Sequence, residues 1–129
     1  MTRVLIAEDE SFIANLYKLN LESAGISTSI AENGEEAVKA IKKSKPDLLL
    51  LDLLMPTMDG FAVLEWIRDN RKKGYTMPII IVTNLSQKLN KKKCEDLGAV
   101  DYIVKSDVQM DEVLKIVQKF LGKKPASKK

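Results

Sequence analysis

Five short strand-like runs, four of them apolar, recur along the chain, and segments with helical periodicity separate them. The runs predict β-strands near residues 3–8, 26–31, 47–52, 78–83 and 100–105. Runs of about four apolar residues are typical of strands buried on both faces of a parallel sheet. Strands that alternate with helices indicate βαβ units. We therefore predict a single α/β domain, in which a doubly wound sheet of five parallel strands is flanked by five helices.

The first three helices have recognisable boundaries. Apolar residues three and four positions apart follow the first strand, and Gly25 supplies a stop. The second helix is short and ends before Pro46, because proline does not continue a helix. Asp59 can cap a third helix, which we expect to end near Gly74.

The last two helices differ in how many apolar residues they can bury. The fourth, at about residues 87–97, offers only Leu89, Cys94 and Leu97 among several lysines, so we expect it to be the least anchored element. The fifth has regularly spaced apolar residues from Met110 to Leu121, so we expect it to dock firmly on the sheet.

Polar residues stand where four of the runs end. Glu8 and Asp9 follow the first run, Asp52 follows the third, Thr83 closes the fourth and Lys105 follows the fifth. Each of them alone would be an ordinary strand-end residue facing water. In open α/β sheets, however, ligands lie beyond the carboxyl ends of the strands. Five such groups at corresponding ends therefore favour a site at which they converge.

Composition narrows the class of protein. A chain of 129 residues fits one domain with a sizeable core. Cys94 is the single cysteine and cannot form an internal disulfide, and no secretory leader is recognisable, so we expect a cytoplasmic protein. The longest apolar stretch, residues 48–55, is interrupted by Asp52 and is too short to cross a bilayer. We expect a soluble protein without a membrane partner.

The absence of histidine excludes several chemistries. Ser/His and Cys/His hydrolases, histidine-based metal sites and phosphohistidine carriers all need that side chain, and the chain has none. The groups left for chemistry are carboxylates, hydroxyls and lysines.

The positive net charge is mostly a property of the last residues. The formal charge is +3, but residues 122–129 hold four lysines, and the remainder carries 17 basic and 18 acidic groups. We interpret residues 122–129 as a basic flexible tail. No nucleic-acid-binding motif accompanies it, so no direct nucleic-acid partner is expected.

Four segments, in this order, resemble the receiver domain of bacterial two-component response regulators. They are Ile6–Glu10 with its acidic pair, Leu51–Gly60 with the phosphoacceptor block, Thr83, and Asp101–Lys105. The resemblance covers about residues 2–121, and we assign residues 1–121 to a receiver domain of the stand-alone type. It implies a flavodoxin-like strand order, 2-1-3-4-5.

The resemblance also implies a nucleophile and a metal. Asp52 would accept a phosphoryl group on its carboxylate. A divalent cation, Mg²⁺ or Mn²⁺, would offset repulsion between the phosphate and the carboxylates. Asp9, Asp52 and the Leu54 carbonyl would be its ligands, with waters completing the shell. Glu8, which is one methylene longer than the aspartate common in the family, would bind through water.

Two further residues would bind the phosphoryl group or respond to it. Lys105 would place a fixed positive charge opposite Asp52, and Thr83 would donate a hydrogen bond to a phosphoryl oxygen. By family analogy, Thr83 moves toward the phosphoryl group and Tyr102 turns inward behind it. The surface of the fourth helix, fifth strand and fifth helix would then change shape. A half-buried strand aromatic is the simpler interpretation of Tyr102.

Besides Glu8, the sequence departs from the family pattern at two positions. Ser106 stands where a proline commonly follows the lysine through a cis peptide bond, and a cis bond before any other residue costs about 3–4 kcal/mol. The Lys105-Ser106 bond is therefore either trans, with the lysine aimed differently, or strained. Asn84 stands where small residues are frequent, and we expect its bulk to alter access to the phosphoryl group.

Leucines occupy two positions that flank the path of the hydrolytic water in this family. They are Leu54, two residues after Asp52, and Leu85, two residues after Thr83. We hypothesise that both exclude that water and make the phosphorylated form long-lived. The alternative is that both are ordinary packing residues.

Several functions remain open at this stage. The leading one is a phosphorylation-activated switch that is not an independent enzyme. It would accept its phosphoryl group from a sensor histidine kinase or a histidine phosphotransfer protein, bind an unknown downstream protein, and be a monomer or a phosphorylation-dependent dimer. A phosphoryl shuttle or sink in a phosphorelay would use the same chemistry. A haloacid dehalogenase-like phosphatase is disfavoured because Leu54 stands where its second aspartate belongs. A DNA-binding regulator, with the tail as the start of a linker, is a further alternative.

Overall fold

The computed structural model describes residues 2–122 of the chain. Except for Gly122, the predicted flexible tail lies outside the described residues. The described part forms one sheet with helices on both of its faces.

Five parallel strands form the sheet, in the order β2-β1-β3-β4-β5. The predicted strand order is therefore confirmed, and every predicted strand lies within one residue of the observed bounds. The strands are β1 (Arg3–Ala7), β2 (Ser27–Ala31), β3 (Leu48–Leu51), β4 (Ile79–Thr83) and β5 (Asp101–Val104).

A helix follows each strand. The five are α1 (Ser11–Ser23), α2 (Gly34–Ser44), α3 (Gly60–Asp69), α4 (Lys88–Asp96) and α5 (Met110–Leu121). Gly25, at φ 83°, ends α1 in the left-handed conformation that glycine tolerates best. The Asp59 carboxylate accepts a hydrogen bond from the Ala62 amide, which confirms its capping of α3.

The end predicted for α3 is wrong by five residues. The α-helix ends at Asp69, and a 3₁₀ turn over Arg71–Lys73 continues to Gly74, at φ 97°. The Asn70 side chain donates a hydrogen bond to the Trp66 carbonyl, which satisfies a terminal acceptor of the helix. Gly74 thus ends the tighter turn, and α3 itself stops earlier.

The sheet divides the core into two layers. Along β3, Leu49 and Leu51 face one layer, whereas Leu48 and Leu50 face the other. The first layer is covered by α2, α3 and α4, and the second by α1 and α5. All four leucines are essentially inaccessible to solvent, so each is expected to contribute about 2–5 kcal/mol relative to alanine.

Two predictions about burial are wrong. The run ending at Val104 was expected to be buried on both faces, but only Ile103 is buried, because β5 is an edge strand. Leu89 was expected to anchor α4, yet it is 79% exposed. Cys94 is the only residue of α4 that is buried, so the expectation of a weakly anchored helix holds.

In the part of the chain that the structure describes, no helix is long and apolar enough to cross a membrane.

Candidate functional site

Strand register places the polar ends of the two central strands side by side. Ala7 of β1 pairs with Leu51 of β3, so the residues that follow them, Glu8 and Asp52, emerge next to each other. The Asp52 amide donates a hydrogen bond to the Ala7 carbonyl at 3.0 Å, which extends the pairing by one step. Both side chains are nearly buried, with exposures of 2% for Glu8 and 6% for Asp52. The site therefore begins where β1 and β3 end.

Lys105 brings a positive charge from the end of β5 to these carboxylates. Its Nζ lies 2.7 Å from Glu8 Oε1 and 3.0 Å from Asp52 Oδ2. The lysine side chain is only 13% exposed, so the three charges interact with little screening by water. One ammonium thus bridges two buried carboxylates that would otherwise repel each other.

Burial and charge shift the pKa values of this group. Burial raises the pKa of Glu8, the contact with Lys105 lowers it, and the neighbouring Asp52 raises it, with a net upward shift. Burial alone would lower the pKa of Lys105. Its contacts with Glu8 and Asp52 outweigh that effect, and the pKa is raised. Lys105 is therefore fully charged at neutral pH.

The site also fits a divalent cation. One carboxylate oxygen from each of Glu8, Asp9 and Asp52 lies within 4.8 Å of the others. Carboxylates at this spacing can hold Mg²⁺ either directly or through water. Three carboxylates against one ammonium leave two negative charges, which a dication would balance. Hard oxygen ligands suit Mg²⁺ and Mn²⁺.

The loop after β3 is held close to Asp52. The Leu54 amide donates a hydrogen bond to Asp52 Oδ1 at 3.3 Å. A Cβ at Gly60 would lie 2.3 Å from the Asp52 carbonyl oxygen, so only glycine permits this approach of α3 to the loop. A Cβ at Gly34 would lie 2.0 Å from the Met58 carbonyl oxygen. Two glycines thus let neighbouring backbone pack tightly around the segment that carries Leu54.

Thr83 and Tyr102 both contact the loop after β4. Thr83 is fully buried, and its hydroxyl accepts a hydrogen bond from the Leu85 amide at 3.4 Å. The Tyr102 hydroxyl donates a hydrogen bond to the Leu85 carbonyl. Among the described residues, no hydrogen bond joins Thr83 to Asp52. The two predicted switch residues are thus connected through the backbone of one residue.

The two departures from the family pattern have simple structural outcomes. The Lys105-Ser106 peptide bond is trans, which answers the question that the sequence left open, and Lys105 still reaches Asp52. Asn84 is exposed, beside the buried Thr83. Of the two leucines expected near the water path, Leu54 is 56% exposed and Leu85 is half-buried against the core.

Sequence reasoning missed two residues near the charged group. Glu10 Oε1 lies 4.0 Å from Lys105 Nζ, and the Glu10 amide donates a hydrogen bond to Glu8 Oε2. Tyr17 is a buried residue of α1; burial raises its pKa to about 12, and the charges of the site act on it. The position of Glu10 next to the acidic pair is a signal that could have identified it. No local signal marks Tyr17.

The arrangement suits the transfer of an anionic group. Asp52 offers a carboxylate nucleophile at the end of a buried strand, Lys105 offers a fixed positive charge at 3.0 Å, and the acidic group can hold a dication. Electrostatic stabilisation by groups that are already in place is the main way in which proteins assist phosphoryl transfer.

Known proteins share this fold and these sequence features. The family model described as "Response regulator receiver domain" matches residues 4–118. Response regulator ArlR of Staphylococcus saprophyticus is 35% identical over 125 residues, which cover 97% of this chain and 54% of that protein. The curated relatives that the chain matches are longer, and it spans about half their length or less.

Solved structures agree with this assignment. The receiver domain of Francisella response regulator 1452 has a TM-score of 0.83 at 31% identity, covering 94% of this chain and 97% of that one. A two-component response regulator from Clostridium difficile has a TM-score of 0.87 at 27% identity, covering 95% and 98%. The sheet order, the acidic site and these matches lead to one conclusion: the chain belongs to the response regulator receiver domain family of two-component systems.

Proposed function

We propose that this chain is a phosphorylation-activated signalling switch, which accepts a phosphoryl group from the phosphohistidine of a sensor kinase or histidine phosphotransfer protein onto Asp52. The observation that carries the proposal is the position of the Asp52 carboxylate, buried beside Lys105 at 3.0 Å and grouped with Glu8 and Asp9. A carboxylate in ordinary contact with water would have neither the fixed cation nor the neighbouring acidic ligands.

The transfer is a displacement at phosphorus. An Asp52 carboxylate oxygen forms the new P–O bond as the P–N bond to the donor imidazole breaks, and the imidazole leaves with the electron pair and takes up a proton. Lys105 faces a phosphoryl oxygen and offsets its negative charge. Bound Mg²⁺, held by Glu8, Asp9, Asp52 and the Leu54 carbonyl, would supply charge neutralisation and orientation of the phosphoryl oxygens.

The output follows from the loop after β4. Thr83 would exchange its hydrogen bond from the Leu85 amide for one that it donates to a phosphoryl oxygen. Tyr102 donates to the carbonyl of the same Leu85, so movement of this loop changes the surroundings of both side chains. The adjoining α4 buries only Cys94, and elements with few buried contacts move at low cost. The face formed by α4, β5 and α5 is therefore the proposed surface for a downstream protein or for a phosphorylation-dependent dimer.

Acetyl phosphate with Mg²⁺ tests the phosphoacceptor. We expect intact mass spectrometry to show one added phosphoryl group that is stable in acid and labile in base. The Asp52→Asn variant should show none, whereas Asp59→Asn, a matched change at an exposed aspartate seven residues away, should behave like the parent. An adduct that survives in Asp52→Asn, or its absence from the folded parent, would overturn the proposal.

We further propose that Leu54 and Leu85 slow the loss of the phosphoryl group by excluding water. Leu54 is exposed and follows Asp52 closely, while Leu85 is held by Tyr102 through its carbonyl. A Leu54→Asn, Leu85→Glu double variant introduces groups that can orient water, so it should lose phosphate faster than the parent. Leu89→Asn, at an exposed leucine of α4, serves as the control. A double variant that loses phosphate no faster would contradict this role.

A further inference from the structure

Five exposed lysines gather at the end of the molecule opposite the proposed phosphorylation site. In a parallel α/β fold each helix runs back against its strand, so helix C-termini lie at the N-terminal edge of the sheet. The end of α2 and the 3₁₀ turn after α3 meet there, since a Cβ at Gly74 would lie 3.2 Å from Lys45 Nζ. We call these lysines the basic pole; they are Lys42, Lys43, Lys45, Lys72 and Lys73.

The basic pole has no negative partner of its own. Residues 37–46 and 70–78 contain no aspartate or glutamate. Within residues 2–122, none of the five lysines has a carboxylate within 4.0 Å, whereas Lys18, Lys39 and Lys92 do. Asp47 and Asp69 directly flank these two segments, and the ion pair of Asp69 is with Arg68.

Two of the five ammonium groups are positioned by aromatic rings. Lys42 Nζ lies 5.7 Å from the centroid of the Trp66 ring, and Lys45 Nζ lies 5.4 Å from that of Tyr75. The two rings also contact each other, with centroids 5.1 Å apart. Cation–π contacts of this kind restrict long lysine side chains. The pole therefore presents charges at defined positions.

Helix dipoles explain only part of this charge. Lys42 and Lys43 lie in the last turn of α2, where cations interact favourably with the helix C-terminus. Lys45 is the C-cap residue of α2, and Lys72 and Lys73 lie in the separate 3₁₀ turn after α3. The dipole of α2 thus favours three of the five lysines, and it does not account for Lys72 and Lys73.

We propose that the basic pole is a docking surface for an acidic segment of a partner protein. Charge complementarity supports this partner, because ammonium groups at defined positions match individual carboxylates. Residues 2–122 carry a small net negative charge, and the acidic group lies at the opposite end, so a short acidic segment suits the pole better than an extended polyanion does.

Two other classes of partner fit less well. Trp66 and Tyr75 are partly buried against the core and covered by lysines, so neither offers a free face for base stacking with a single-stranded nucleic acid. None of the exposed large apolar residues of the described part belongs to residues 37–46 or 70–78, so these two segments offer no such side chain for insertion into a bilayer. This docking surface is independent of the phosphoryl chemistry, since the pole lies at the other edge of the sheet.

A fluorescently labelled peptide of alternating glutamate and serine serves as the probe, and fluorescence anisotropy with the full chain at physiological salt measures its binding. The pole variant carries Lys43→Gln, Lys72→Gln and Lys73→Gln, which leaves both cation–π contacts intact. If each exposed pair contributes about 0.5 kcal/mol, the affinity should fall about tenfold.

A matched variant distinguishes the contribution of the pole lysines to binding from the effect of net charge. It carries glutamine at three exposed lysines of α4 and α5 that also have no carboxylate partner in the described chain, namely Lys88, Lys91 and Lys115. Both variants lose three charges and both keep the lysines of residues 122–129. The control should bind within about twofold of the parent.

Several outcomes would overturn the proposal. The first is that the parent does not bind the peptide, and the second is that both variants lose the same affinity for it. The third is that an oligothymidylate or phosphatidylserine vesicles bind the pole more tightly than the peptide does. Acetyl phosphate labelling of both variants, measured in parallel, should match the parent. The labelling measurement thereby distinguishes failure of the docking proposal from failure of the proposal that Asp52 is phosphorylated.

Discussion

Replacing Lys105 with methionine tests the charge balance of the site. Methionine keeps an unbranched side chain but removes the ammonium that lies 2.7 Å from Glu8 and 3.0 Å from Asp52. Two carboxylates with exposures of 2% and 6% are then left without that cation. Removing one partner of a buried ion pair typically lowers the free energy of unfolding by about 3–5 kcal/mol. We expect a loss of this size at pH 8 in metal-free buffer.

The loss should shrink at acidic pH. Burial raises the pKa of Glu8 above 4.5 and contact with Lys105 lowers it, so the pKa of Glu8 rises further in the variant. A carboxyl group with a raised folded-state pKa binds extra protons in the folded state. Stability therefore falls as pH rises from the unfolded toward the folded pKa, and returns on acidification. For one proton, the variant should recover up to about 1.4 kcal/mol per pH unit within that window.

Urea unfolding followed by circular dichroism measures both effects. The parent, Lys105→Met and the control Lys115→Met, at an exposed lysine of α5, are compared at pH 5 and pH 8 with EDTA present. The control should stay within about 0.5 kcal/mol of the parent. An unchanged difference between parent and Lys105→Met at the two pH values, or no difference at pH 8, would refute the reasoning.

Three further variants test the packing around the site. Burial raises the pKa of Tyr17 from 10 to about 12, so stability is lost as pH rises through that range. Tyr17→Phe should avoid roughly 2 kcal/mol of this loss, as measured by urea unfolding at pH 9 and pH 12. Asp59→Ala removes the cap on α3 and should lower the free energy of unfolding by about 1 kcal/mol, whereas an unchanged value would mean that water replaces the carboxylate. Gly34→Ala places a Cβ 2.0 Å from the Met58 carbonyl oxygen, so we expect a loss of about 1–3 kcal/mol and slower labelling by acetyl phosphate; parental stability and labelling would show that the loop yields freely.

The strands could be predicted because their signals are local. Four consecutive leucines at residues 48–51 can be buried only between two layers, and polar residues mark the ends of four of the five strands. The grouping of Glu8 and Asp52 was predicted from the same pattern, because the carboxyl ends of parallel strands lie at the same edge of the sheet. Their chemical roles, by contrast, were inferred from the family resemblance and stay predictions.

The features that were missed depend on tertiary context. Leu89 has the spacing of a core residue, but the turn of α4 that carries it faces solvent. The run before Lys105 looks like a central strand, and only the strand order makes it an edge. Asn70 ended α3 early through a side-chain hydrogen bond to the Trp66 carbonyl, and Gly74 was the more obvious stop signal. The sequence pattern reports which residues are apolar, whereas neighbours in space decide which of them are covered.

The position of Trp66 makes its intrinsic fluorescence a probe of the basic pole. It is the only tryptophan of the chain, it lies beneath Lys42 and beside Tyr75, and these neighbours belong to the edge of the sheet farthest from Asp52. Its fluorescence would therefore report binding of an acidic segment at the proposed docking surface without any label. If phosphorylation of Asp52 changed this emission, a structural change would have to extend from Asp52 through the core to Trp66. The emission would then measure how far that change extends.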